Sequence, residues 1–359
     1  MVDKSKLTQS RKLEHISIIL NKDTQYHKKT TLMECVSIVP KRGKIDKKDV
    51  DTSTLLHGRE IAAPVFVSGM TGGQKETFEI NKNIAIAVSK LGVPMGIGSQ
   101  RAMLENKGLT YTYDVKKIAG DIFLIGNLGV SKLPKYDNSA IKEAVDSINA
   151  DMLALHTNPG QESVEPEGDI DFRGAYDRVC EVSEALDKPV VLKEVGNGIS
   201  KEVASKMKGK IYAIDVQGAG GTTWIGVETY RGNSSYGKAF WEWGIPTALS
   251  VLESISGFGS HVWSSGGIRS AEDIAKSIAI GAEMCGMAKP VLVSERKGGA
   301  IGAYNFLNGI IEDFRGEMAK LGFESIKELS SAKVMIGEPL AGLLRQRKVR
   351  FRRMETVVD

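Results

Sequence analysis

A histidine, two amides and a carboxylate fall within the seven residues His156-Thr157-Asn158-Pro159-Gly160-Gln161-Glu162. Glu162 is a candidate ligand for Mg²⁺, a hard cation that takes oxygen donors and shares them with substrate phosphates. Gln161 has no proton to exchange near neutral pH, so it is expected to position rather than to act as acid or base. His156 can neutralise a phosphate or take up a proton. Two further segments suit a phosphate. Ser264-Ser265-Gly266-Gly267-Ile268-Arg269-Ser270 combines glycines, a guanidinium and a helix cap, and Gly286-Met287-Ala288-Lys289-Pro290 adds a lysine. N–H groups at a glycine turn that opens a helix approach an oxyanion closely, which marks Gly267, Ile268, Arg269, Ala288 and Lys289. Lys193 ends the apolar run Val190-Val191-Leu192, where a buried ammonium calls for an anion such as a reduced flavin ring. Asp215-Val216-Gln217-Gly218-Ala219-Gly220-Gly221-Thr222-Thr223 offers hydroxyls at Thr222 and Thr223 for a ring edge. Arg101, after Ser99-Gln100, could grip a diphosphate with both arms of its guanidinium. Arg11-Lys12 alone reads as a charged helix start.

Eight short apolar runs must position these groups: Pro64–Ser68, Val93–Gly98, Ile122–Ile125, Met152–His156, Pro189–Lys193, Ile211–Val216, His261–Ser264 and Ala282–Met287. They recur at roughly 30 to 50 residues, the period of a strand and its helix. Apolar residues between them keep helical spacing, as in Ile141, Ala144, Val145 and Ile148. Strand then helix, repeated this way, predicts an α/β protein, a closed (β/α)8 TIM barrel. An open doubly wound sheet would want GxGxxG after an early strand, and neither Ser68–Gly73 nor Gly96–Arg101 has that spacing. In a barrel the ends of the runs share one mouth, so Ser68–Thr71, Ser99, Asn127, His156–Glu162, Lys193, Asp215, Ser264 and Lys289 are expected to form one rim. Residues 1–60 precede the first run and should form an N-terminal arm and small antiparallel cover, leaving 61–359 as a single catalytic domain. Residues 217–260, rich in Gly and Trp, read as a long loop after the sixth strand, and the basic stretch Arg345–Arg353 as a surface helix or oligomer contact.

Composition excludes several classes. Lys plus Arg exceeds Asp plus Glu by 48 − 44 = 4, too little over 359 residues to suggest a nucleic-acid binder. Cys35, Cys180 and Cys285 are three in number and show no CxxC spacing, so neither a disulfide framework nor a zinc knot is expected. No apolar run approaches the ~18 residues of a membrane span, and the polar amino terminus is unlike a secretory signal. A cytoplasmic protein is the expectation, with His27, His57 and His261 in structural roles.

Nine segments occur in order on the expected strand ends: RKLEHI, SGMTGG, GIGSQR, GNLG, HTNPGQE, KEVGNG, DVQGAGGTTW, SGGIRS and GMAKP. Together they make the chain resemble the type 2 isopentenyl diphosphate isomerases from about Arg11 to Pro290. The resemblance implies an FMN-binding (β/α)8 barrel that interconverts isopentenyl and dimethylallyl diphosphate for isoprenoid biosynthesis. It implies Mg²⁺, a flavin kept reduced by NADPH, and a homo-oligomer, tetramer or octamer. It implies FMN at Gly69, Met70, Thr71, Ser99, Asn127, Lys193, Thr222 and Thr223, its phosphate at Gly267, Ile268, Arg269, Ala288 and Lys289. It implies substrate at Arg11, Lys12, Ser99, Gln100, Arg101, His156, Asn158 and Gln161, with Glu162 on the metal and Gln161 and His156 as the catalytic pair. Thr157 replaces a more usual leucine and leaves the polar ligands intact. The alternative is another FMN-dependent barrel oxidoreductase on a phosphorylated or hydroxy-acid substrate. A hydroxy-acid oxidase would need a histidine base among the glycines after a late strand, and Asp215–Thr223 has none. A non-enzymatic flavin or phosphate binder remains the reading from another class.

Overall fold

The computed structural model describes residues 4–41, 43 and 45–351. Eight parallel strands close into a barrel: β4 (Val65–Val67), β5 (Met95–Gly96), β6 (Leu124–Gly129), β7 (Met152–His156), β8 (Val190–Lys193), β9 (Ala213–Asp215), β10 (Val262–Ser265) and β11 (Met284–Met287), which pairs back onto β4. Before them come β1 (Val36–Ile38) and the hairpin β2 (Thr54–Leu56) and β3 (Arg59–Ile61), and after them β12 (Val334–Ile336). The helices are α1 (Lys4–Asn21), α2 (Lys75–Leu91), α3 (Arg101–Glu105), α4 (Lys116–Ala119), α5 (Asn138–Asp146), α6 (Pro159–Glu162), α7 (Ala175–Ala185), α8 (Lys201–Met207), α9 (Trp224–Gly232), α10 (Ser235–Ala239), α11 (Thr247–Gly257), α12 (Ala271–Ala279), α13 (Lys289–Leu321), α14 (Ile326–Leu329) and α15 (Leu340–Gln346).

Alternation along the strands explains what reaches the mouth. Successive side chains point to opposite faces, so each barrel strand sends every second residue inward. Phe66, Ile125, Met152, Ala154, Val191, Ala213, Trp263 and Met284 fill the barrel interior as one cluster. Leu124, Leu153, Leu155, Val190, Leu192, Ile214 and Val262 pack outward into the layer shared with the helices. Continuing the alternation by two residues turns Asn127, His156, Lys193 and Asp215 inward at the top. Their strands also hold them level, because His156 pairs in register with Lys193 and Lys193 with Asp215. The apolar layer below is therefore what aims the polar row above.

The amino-terminal segment closes the opposite end. The β2–β3 hairpin turns at His57 and Gly58, both at positive φ, as a two-residue hairpin turn requires. Leu56 and Ile61 then sit against Phe66 and Phe123 inside the barrel. β1 pairs antiparallel with β12 and ties this cover to the chain's last third.

Three expectations need correction. The strand expected at Ile122–Ile125 runs instead over Leu124–Gly129, since Asn127 and its glycines continue the ladder with β7. The stretch 217–260 is not mainly loop: it folds into α9, α10 and α11, the last almost wholly buried. Ser264 faces away from the mouth and exchanges a hydrogen bond with Ser277 of α12 at 2.9 Å. In the basic tail, Arg347 binds Glu202 and Glu253, each at 2.6 Å, so that residue is an anchor on the barrel's outer helices. Arg352 and Arg353 lie outside the described residues.

Candidate active site

One large pocket opens above the polar row, roofed by α1 and walled by the loops after the strands. Along α1, Arg11, Lys12, His15, Ile16 and Ile19 face it, which is one side of a helix. Below them lie Met70, Asn127, His156, Lys193 and Gln217, while Gly267–Arg269 and Ala288–Lys289 border one end and Ser99 and Arg101 the other.

The centre of the floor is electrostatically tight. Burial, reinforced by Lys193, Arg11 and Lys12, pushes His156 down to about 3. The ring is therefore neutral, its Nδ1–H donates to Asn127 Oδ1 at 2.7 Å, and Nε2 keeps a lone pair. Burial also lowers Lys193, against the pull of Asp215 and Glu194. Asp215 shifts the other way, raised by burial and held back by Lys193. One Asp215 oxygen accepts from Gln217 Nε2 at 2.9 Å and the other has no partner. Lys193 Nζ itself reaches only the Glu194 carbonyl, at 3.1 Å.

The end bearing Arg11, Lys12 and Arg101 is crowded with like charge. Lys12 Nζ donates to the carbonyls of Gly72 and Ser99 and to Tyr113, and burial with Arg11 and Arg101 brings it down to about 7. Arg11 is paired with Glu165, and Arg101 Nε with Glu105 at 2.7 Å. Burial lifts Glu165 to about 7 although Arg11 opposes it.

Gln161 bridges two carboxylates. Its Nε2 lies 3.1 Å from Glu165 and 3.1 Å from Glu228. Glu228 is fully buried on α9 and also binds His15 at 2.7 Å and Arg231 at 2.6 Å. Burial would raise that carboxyl, but the His15 and Arg231 contacts outweigh it and keep it ionised. Glu162 Oε1 accepts from Asn158 Nδ2 at 3.2 Å, and Oε2 from the Asp169 N–H at 2.6 Å. Asn158 Oδ1 beside it is buried with no partner.

Residues 169–336 match the model of the FMN-dependent dehydrogenase family. Over almost the full chain the similarity is to isopentenyl-diphosphate delta-isomerases. That of Methanothermobacter thermautotrophicus is 40% identical over 94% of this chain and 96% of its own length. That of Methanocaldococcus jannaschii is 39% identical over 97% of this chain and 99% of its own. The chain belongs to the isopentenyl-diphosphate delta-isomerase family. In fold it is similar to mandelate oxidase, with a TM-score of 0.63 over 90% of this chain at 21% identity. The isomerase relatives match in sequence across the whole barrel, and the mandelate oxidases share the fold.

Most residues singled out in the sequence do meet in this isomerase-family pocket: Arg11, Lys12, Gly69, Met70, Thr71, Ser99, Arg101, Asn127, His156, Asn158, Gln161, Glu162, Lys193, Thr222, Gly267, Ile268, Arg269, Ala288 and Lys289 line it. Two do not. Gln100 is fully buried behind the floor, where Oε1 accepts from the Asn127 N–H at 3.0 Å and Nε2 donates to the Ala144 carbonyl at 2.7 Å. It braces β6 and has no group left for a diphosphate. Thr223 is also fully buried and caps α9 by accepting from Gly226 N–H at 3.3 Å. His156, read as able to neutralise a phosphate or take up a proton, is held well below its usual pKa by burial and the nearby cations. Sequence reasoning missed His15, Glu165 and Glu228. Helical spacing from Arg11 to His15 and from Gln161 to Glu165 carried the signal for the first two. Glu228 lies in the stretch read as loop and gave none.

Proposed function

We propose that this chain interconverts isopentenyl and dimethylallyl diphosphate, using reduced FMN and Mg²⁺, with NADPH as the outside reductant. The observation that carries the reading is one pocket with cationic groups at both ends and a neutral amide and imidazole between them. Arg269 and Lys289 suit a cofactor phosphate, and Arg11, Lys12 and Arg101 suit a diphosphate. The residues fit a flavin ring: the Thr71 hydroxyl and one Asp215 oxygen are buried without partners, and Lys193 is free to meet negative charge. A hard divalent ion fits at Glu162, where the partnerless Asn158 oxygen gives a second oxygen donor, and substrate phosphates would complete its shell.

When bound and reduced, the flavin would supply a nitrogen, N5, able to give and take a proton at an allylic carbon. This chain's residues then have distinct tasks. Arg11, Lys12 and Arg101 hold the diphosphate, and Ile16, Ile19 and Met70 offer an apolar wall to a five-carbon chain. Gln161, fixed between Glu165 and Glu228, orients the alkene without itself exchanging protons. Neutral His156 can accept a hydrogen bond at Nε2. No helix among the described residues is long and apolar enough to cross a membrane.

Anaerobic protein loaded with FMN and reduced should form dimethylallyl diphosphate from isopentenyl diphosphate when Mg²⁺ is present. A chelator, oxidised FMN or 5-deaza-FMN should each stop it. Full turnover with 5-deaza-FMN would remove the flavin from the proton chemistry, and no turnover under any condition would overturn the reading.

A further inference from the structure

The two cations at the cofactor end are held by residues that do not line the pocket. Between α1 and β1 the chain crosses the loop that follows β9. Gln25 bridges Thr222 in antiparallel fashion, Tyr26 N–H donates to Gly221 at 3.1 Å, and Thr223 N–H donates to Thr24 at 2.8 Å. From this strap the Gln25 side-chain oxygen accepts from Arg269 Nη2, its amide nitrogen lies 3.5 Å from the Thr222 hydroxyl, and the Thr24 hydroxyl accepts from Lys289 Nζ at 3.3 Å. The strap lies so close that a Cβ on Gly220 would sit 2.2 Å from Thr31 N, and one on Gly267 2.4 Å from Thr31 Cγ2. Those two glycines therefore admit the strap as well as any ligand. Tyr26 pins it from the other side, with its hydroxyl 2.8 Å from the Gly196 carbonyl and from Asn197 Nδ2.

We infer that Thr24 and Gln25 are positioning residues for the cofactor phosphate, acting through Lys289 and Arg269. This rests on the FMN reading above. Both partners are uncharged, so each aims its cation without cancelling its charge. The cations need such help, because burial disfavours both charges and Arg269 adds to that at Lys289, against the through-space pull of Asp273 and Asp23. Thr24 is fully buried and cannot be replaced by water, and Gln25 orders Arg269 and Thr222 with one amide. The strap follows directly from α1, so the element that roofs the substrate end is fastened at the cofactor end.

The test is a titration of full-length, flavin-free protein with FMN and, separately, with riboflavin, which lacks the phosphate, read by flavin fluorescence. Gln25→Glu would set a carboxylate on Arg269 in competition with phosphate, and should weaken FMN about tenfold or more. Thr24→Val, which keeps the shape and removes the hydroxyl, should weaken FMN by about threefold. Riboflavin affinity should stay within about twofold for both, which also reports that the mouth is folded. Equal losses for the two ligands would make the strap a mere roof and overturn the inference. So would FMN affinity unchanged in Gln25→Glu. Wild-type protein that binds FMN no better than riboflavin would instead overturn the phosphate site itself, before any variant is compared.

Discussion

The two ends of the pocket both gather cations, yet they hold them in opposite ways. At the cofactor end Arg269 and Lys289 rest on neutral groups, the Gln25 amide and the Thr24 hydroxyl, and keep their charge for a ligand. At the substrate end Arg11 and Arg101 are already paired with Glu165 and Glu105, and Lys12 is depressed to about 7. A ligand entering there must displace carboxylates, which reduces the net gain from each contact. That suits a molecule which has to leave after every turnover. At the cofactor end Asp273 and Asp23 act on Arg269 and Lys289 only through space, and the side-chain hydrogen bonds of the two cations go to neutral groups, which suits a resident group.

The largest effect should come from emptying the cofactor end. Arg269→Ala with Lys289→Ala should weaken FMN by about a hundredfold, while riboflavin binding and the fold are kept, since two charge-assisted contacts are lost. Equal weakening of riboflavin would place the phosphate elsewhere. Next, Arg101→Ala should raise KM for the diphosphate about tenfold and leave FMN affinity untouched. Release of flavin by that variant would mean that the two ends are not separate. The smallest effect concerns Lys12. Its pKa lies below the usual lysine value, so the free site carries this charge below pH 7 and loses it above. KM should therefore climb from pH 7 to 9, and Lys12→Arg, which stays protonated, should flatten that rise by a few-fold. A rise of the same steepness in Lys12→Arg would assign it to the diphosphate's own titration.

How much of this was legible beforehand follows from physical scale. Strand β7 was readable to the residue because Met152–His156 is a continuous apolar run that stops at a polar residue, His156. β6 was not, because Gly126, Asn127 and Gly129 are turn residues by composition and strand residues only through pairing with β7. The lining of the pocket was largely legible, since strand ends and glycine turns are local signals. What each polar side chain does with its partners was not. Gln100 and Thr223 sit next to pocket-lining residues in sequence, yet their groups turn to a backbone carbonyl and a helix start. Glu228 and the strap at Thr24–Gln25 meet the site from 67 to 265 residues away along the chain, as the Gln161–Glu228 and Thr24–Lys289 contacts show. Such contacts leave no mark in local spacing.

The division into two ends is tested most directly by adding inorganic pyrophosphate with Mg²⁺ to the FMN-loaded protein and following flavin fluorescence and isomerase inhibition together. Inhibition with the flavin fully retained is the expected result, because pyrophosphate should occupy only the end bearing Arg11, Lys12 and Arg101. Release of FMN in step with inhibition would contradict it, and would show that one anion site serves both ligands.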